Sequence, residues 1–190
     1  MPDKANGKGA RIVRALDRGA DLLSQAAAFL ATIAMLASLA LVVFGIAARY
    51  LLKTPQSWSD ELVGYLLVGI VMFAATDALR KGEHIAIDIL TGRLKPAGRR
   101  LVALLGLATV ALFALLMIDK GWEMVAFSRM VDMHSNQDLG APLWVVQLMI
   151  PVGGILLLIS AVTLFLRELI GDPVFEDSHL QNGPVQRGLD

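Results

Sequence analysis

Four long stretches of this chain carry no charge, and they decide what it can fold into. Residues 22–48 run for 27 positions without Asp, Glu, Lys or Arg. Residues 101–118 do so for 18 and residues 139–166 for 28. The fourth, 62–76, is bounded by Trp58 on one side and Asp77 on the other. An α-helix rises about 1.5 Å per residue, so about 20 apolar residues cross a hydrocarbon layer roughly 30 Å thick. Lipid offers no hydrogen bonds, so only helices and closed barrels can span it. None of the runs shows the strict alternation of barrel strands. The chain therefore reads as an all-α membrane protein with four transmembrane helices, at about 22–50, 58–79, 99–120 and 142–166. A segment of residues 1–21 precedes this 22–170 membrane domain, and a polar tail of residues 171–190 follows it. The first run is too long for the 7–15-residue core of a signal peptide and is read as a retained helix.

Positive charge orients the helices, because basic residues stay on the cytoplasmic side. Lys4, Lys8, Arg11, Arg14 and Arg18 precede the first span. Arg80, Lys81, Arg93, Lys95, Arg99 and Arg100 join the second to the third, and Arg167 and Arg187 follow the fourth. Only Arg49, Lys53, Lys120 and Arg129 fall on the other side. Both termini are thus predicted to be cytoplasmic. Trp58, Trp122 and Trp144 all fall at the opposite interface, where an aromatic belt belongs.

What the spans lack bounds function. An ionisable residue deep in a membrane usually marks an ion or proton pathway, and the span interiors contain none. Asp77 and Asp119 lie near opposite ends, beside Arg80 and Lys120. All three histidines (His84, His134, His179) lie outside the spans, so none can clamp a haem between helices. There is no cysteine, which removes disulfides and thiolate metal sites. Zero net charge gives no reason to expect nucleic acid, and no phosphate-binding G-x-x-x-x-G-K-[ST] loop occurs. Ala27/Ala31, Ala34/Ser38 and Ala74/Ala78 are small pairs at helical spacing, which could let helices approach closely.

The pattern is densest between Arg49 and Asp88. Pro55 breaks the first helix, Ser57 or Ser59 can cap the second, and Asp60 and Glu61 suit its positive end. Arg49 and Glu61 share one membrane face, and a pair between them is expected, within the chain or across a subunit contact. Arg80 and Lys81 end the second helix and Gly82 fits its C-terminal turn. The following EHIAIDIL is read as a short interfacial helix, with His84 and Asp88 one turn apart. Glu83, His84 and Asp88 supply two ligand types, whereas a metal site needs three or four ligands and a supporting shell. Here His84 is expected to fix the turn, with Asp88 as its partner, and neither a catalytic nor a metal site is expected. In the fourth run Pro142 suits a first helical turn, and Pro151 with Gly153 and Gly154 predicts a kink.

The ordered set Arg49-Tyr50, Pro55, Trp58-Ser59-Asp60-Glu61, Arg80-x-Gly82-x-His84-Ile85-x-Ile87-Asp88, Pro142-x-Trp144 and Pro151-x-Gly153 resembles the small membrane subunit of tripartite ATP-independent periplasmic (TRAP) transporters. The resemblance covers roughly residues 20–170; Ala74-Ala75 stands where that family often carries glycine. It implies a non-catalytic subunit in the bacterial inner membrane, with membrane lipids and two protein partners. A large membrane subunit would hold the organic anion and the sodium, and a periplasmic protein would deliver the anion. This chain would need no cofactor and would brace the large subunit, with its periplasmic loops helping to dock the binding protein. The alternatives are a membrane-bound enzyme and a self-contained small oligomeric transporter. For the latter, Thr32, Ser38, Thr109 and Gln147 are a thin supply of polar groups within the spans.

Overall fold

The computed structural model describes residues 8–54, 56–81, 96–135 and 139–170. Among these residues five helices follow one another: α1 (Lys8–Leu51), α2 (Ser57–Lys81), α3 (Pro96–Met130), α4 (Leu143–Gln147) and α5 (Met149–Ile170). Among the described residues there is no strand, only one antiparallel bridge between His134 and Pro142. Four helical stretches are long and apolar enough to cross a membrane, with α4 and α5 together forming the fourth. Pro55 and the expected interfacial helix with Gly82, His84 and Asp88 lie outside the described residues.

α1 is 44 residues long, roughly 66 Å, so it projects well beyond a 30 Å hydrocarbon layer. Its end is set by Lys53, whose φ of 55° turns the chain back so that the Leu52 and Thr54 amides both reach the Ala48 carbonyl. α2 begins at Ser57, with Asp60 in its first turn and Arg80 and Lys81 in its last, as the helix dipole favours. Ser59 does not cap it. Its hydroxyl donates to the Gln56 carbonyl at 2.8 Å and is buried.

α3 continues to Met130, ten residues past the end expected from its apolar run. The charges at 119–123 end the hydrophobic pattern but not the helix. Lys120 pairs with the adjacent Asp119 at 3.1 Å and with Glu123 at 2.9 Å, and the second pair has the i,i+3 spacing that supports a helical turn. Glycine and proline near 140 then let the chain reverse. The loop is clasped by Ser135 N–H to Ala141 C=O at 2.9 Å and Leu143 N–H to Met133 C=O at 3.0 Å.

α5 is the hub: it packs against α1, α2 and α3, while α1 also lies along α2. Buried positions on α1 recur every three or four residues: Ala20, Ser24, Ala27, Ala31, then Gly45 and Ala48, with Ala34 and Ser38 half-buried between. This is a seam of small side chains, which lets backbones come close where lipid supplies no hydrophobic drive. The Ala27/Ala31 pair is thereby spent inside the chain. Leu22, Phe29, Leu36 and Val43, one heptad apart, point outward.

The predicted kink is a one-residue break at Leu148. Pro151 has no N–H to return to Gln147, so the ladder opens one turn before the proline. The same stretch is where three helices meet. A Cβ on Gly121 would lie 3.0 Å from Pro151, one on Gly154 3.3 Å from the Ala114 carbonyl, and one on Gly153 only 2.6 Å from Met72 Cβ. On the far side, Leu79, Leu107, Ala161 and Leu164 form the apolar core. Gly153→Ala should therefore destabilise the bundle by about 1–3 kcal/mol in a denaturing-detergent titration. Gly106→Ala, with open space around it, should leave the midpoint unchanged or raise it.

Candidate functional site

The polar chemistry sits at the two ends of the bundle. At the end where α1 begins and α5 finishes, the basic end, Arg80 is the centre. Its side chain is 7% exposed. Nη2 donates to Asp17 Oδ1 at 2.8 Å and to the Asp17 carbonyl at 3.1 Å. Nε donates to Asp21 Oδ1 at 3.2 Å, and Nη1 to the Thr163 hydroxyl at 3.3 Å. Asp17 gives its other oxygen to Arg167 Nη1 at 3.0 Å. Two aspartates of α1 thus face one arginine from α2 and one from α5, and the knot is neutral. Asp17 and Asp21 share a face of α1, as Thr163 and Arg167 share one of α5, because each pair is four residues apart. Nearby, Arg100 of α3 donates to the Glu168 and Leu169 carbonyls at 2.9 and 2.8 Å, closing the C-terminus of α5. Asp77 does not pair with Arg80; it takes Lys81 at 2.6 Å, and Arg80 turns inward instead.

At the opposite, tryptophan end, the pairing expected within the chain is corrected. Arg49 takes Asp60 at 3.4 Å, on the exposed surface, and not Glu61. On a helix, residues 60 and 61 differ by about 100° in direction, and the α1–α2 corner puts Asp60 outside and Glu61 inside. The buried Glu61 carboxylate accepts the Tyr65 hydroxyl and faces the Ser135 side chain and the Leu139 backbone amide. It therefore fastens the loop after α3 to the start of α2. Trp58 donates to Gln56 Oε1 at 2.6 Å and meets Phe44 at 6.0 Å between ring centroids. Tyr50 is exposed beside this corner. Pro142 precedes α4, Trp144 lies within it with the Arg129 guanidinium 5.7 Å from its ring centroid, and Pro151 packs on Gly121.

Of the residues singled out in the sequence, Arg49, Tyr50, Trp58 and Glu61 come together at one corner. Among the described residues of that set, Arg80 is the one at the other end of α2, and Pro142, Trp144 and Pro151 belong to the broken fourth span. Asp17, Asp21, Thr163 and Arg167 escaped sequence reasoning, as did Tyr65, Ser135 and Arg129. Same-face spacing at the helix ends was the one signal for the first four. Ser135 and Arg129 depend on how the loop folds back.

These features stand beside two comparisons. The family model for the DctQ component of tripartite ATP-independent periplasmic transporters matches residues 38–171. The chain belongs to that family. It is a TRAP small permease subunit, a multi-pass protein of the inner membrane, and its family is a transporter component. It is similar to the C4-dicarboxylate TRAP transporter small permease protein DctQ of Rhodobacter capsulatus, at 36% identity over 100 residues. That match covers 53% of this chain and 44% of the relative, less than half its length. The family match holds Arg80, Thr163 and Arg167 but begins after Asp17 and Asp21.

The two ion-pair sites should differ sharply in strength. A double-mutant cycle of Asp17→Asn with Arg80→Gln should give a coupling of about 1–3 kcal/mol, since the pair is buried and shares partners. The cycle of Arg49→Ala with Asp60→Ala should give less than about 1 kcal/mol, as exposed pairs do.

Proposed function

We propose that this subunit does no transport chemistry and serves as the fixed part of a sodium-coupled importer. The observation that carries this reading is the placement of charge. The ion pairs described above lie at helix ends, and the cluster around Arg80 is neutral, whereas a moving ion or anion needs titratable or polar groups in the spans. The knot at Arg80 fastens α1, α2 and α5 together, which suits a rigid element. In this reading a large membrane subunit holds substrate and sodium and moves, and this chain widens its stationary frame. The relative's name supports a C4-dicarboxylate as the transported class. The corner of Arg49, Asp60 and Trp58, with the loop held by Glu61, is the surface offered to a periplasmic binding protein.

Deleting the chain should abolish uptake of a labelled four-carbon dicarboxylate, and re-expression should restore it. The purified chain alone, in liposomes, should transport nothing, and a larger membrane protein should co-purify with it. Uptake at the normal rate by the large subunit and binding protein alone would overturn the reading.

Both termini are assigned to the cytoplasm by the distribution of basic residues. The absence of cysteine makes this directly testable. Lys53→Cys should react with a membrane-impermeant maleimide in intact cells stripped of outer membrane. Ser178→Cys should react only after permeabilisation. The reverse pattern would invert the topology.

A further inference from the structure

Beside the Arg129–Trp144 contact lies an open groove of about 540 Å³ between α3 and the fourth span. On α3 it is lined by Trp122, Val125, Ala126 and Arg129, one face at helical spacing; Trp144 and Leu148, one turn apart, form the other wall. From Trp122 to Arg129 it runs roughly 10 Å along α3. Its single charge stands at the outer end. Below that end the walls are aliphatic and aromatic. Among the described residues no acidic side chain lines it; the Trp144 ring attracts the Arg129 guanidinium without cancelling its charge.

We propose that this groove binds one anionic phospholipid of the leaflet at the tryptophan end. Arg129 takes the phosphodiester, the two tryptophans flank the glycerol region, and an acyl chain runs inward past Val125 and Leu148. Arginine suits the phosphate because its N–H donors match the oxygens in pairs. Tryptophan suits this depth because one edge is apolar and the other polar. A zwitterionic headgroup would bring an ammonium, and the groove supplies no carboxylate to receive it. A bound lipid would also fill the surface between the two halves of the broken span, whose break at Leu148 borders the groove.

The test uses the full chain in the Trp58→Phe background, where the remaining tryptophans are the two of the groove. It is reconstituted in phosphatidylcholine vesicles and titrated with phosphatidylglycerol or phosphatidylcholine brominated on the acyl chain. Brominated phosphatidylglycerol should quench half of the fluorescence at about a fivefold lower mole fraction, the advantage one interfacial arginine confers on an anionic lipid. Arg129→Gln should bring the two curves together, Arg129→Lys should keep them apart, and Arg49→Gln, at the other corner, should change nothing. Coincident curves for the unsubstituted groove, or a preference that survives Arg129→Gln, would overturn the proposal. So would loss of selective quenching when the large subunit is co-reconstituted, which would make the groove a subunit contact.

Discussion

Lipid gives these helices no hydrophobic reason to associate, and the architecture follows from how that deficit is met. In water a bundle is held by burying leucines; in hydrocarbon a leucine is equally content facing a lipid tail. What remains is dispersion, which requires backbones to come close, and polar contacts. The α1 seam of alanine, serine and glycine meets the first need, as do Gly121, Gly153 and Gly154 where α5 crosses its neighbours. Gly153 has no room for even a methyl group against Met72. The large side chains of α1, by contrast, are turned outward. The usual inside–outside rule for residue size is thus inverted along much of the bundle.

Polar contacts do the rest, and they are confined to the ends. A buried arginine costs several kcal/mol to desolvate unless its donors are met. Arg80 meets that cost by spreading its donors over two aspartates, a carbonyl and a hydroxyl from two other helices. The result bears on register as well as holding the helices: sliding α1 by one turn against α2 would bring one of the two aspartates close to the other's place and leave the guanidinium with one carboxylate instead of two. At the other end Glu61 plays the matching part with uncharged donors, and it fixes a loop instead of a helix. A seam of small residues is permissive about register, so the charged ends supply what the seam cannot.

The four spans were legible because membrane thickness is a strict ruler and uncharged runs are unambiguous. The break near Pro151 was legible because proline removes a specific hydrogen bond, although its place, one turn upstream at Leu148, follows from the ladder. The end of α3 was not, because apolar composition marks hydrocarbon and not helix; Lys120 with Asp119 and Glu123 carries the helix past it. The partner of Arg49 within the chain was misread by one residue. Asp60 and Glu61 are adjacent acids, and only the packing of the α1–α2 corner tells which faces outward. Arg129 carries no local signature, since its meaning comes from Trp144 across a loop.

Under the stationary role proposed above, the same contacts have a mechanical consequence. A transport protein that moves a domain through the bilayer needs a second body that stays put, and staying put is a matter of resisting shear. Small-residue seams resist separation but slide with little resistance. Charged knots at the helix ends resist sliding, because a displacement gives up part of a hydrogen-bond set that is complete in one register. Placing those knots at the ends leaves the middle of the bundle free of buried charge and keeps its lipid-facing surface apolar. A rigid frame and an inert membrane interior are therefore products of one arrangement: polar groups withdrawn from the spans are the ones that lock the spans together.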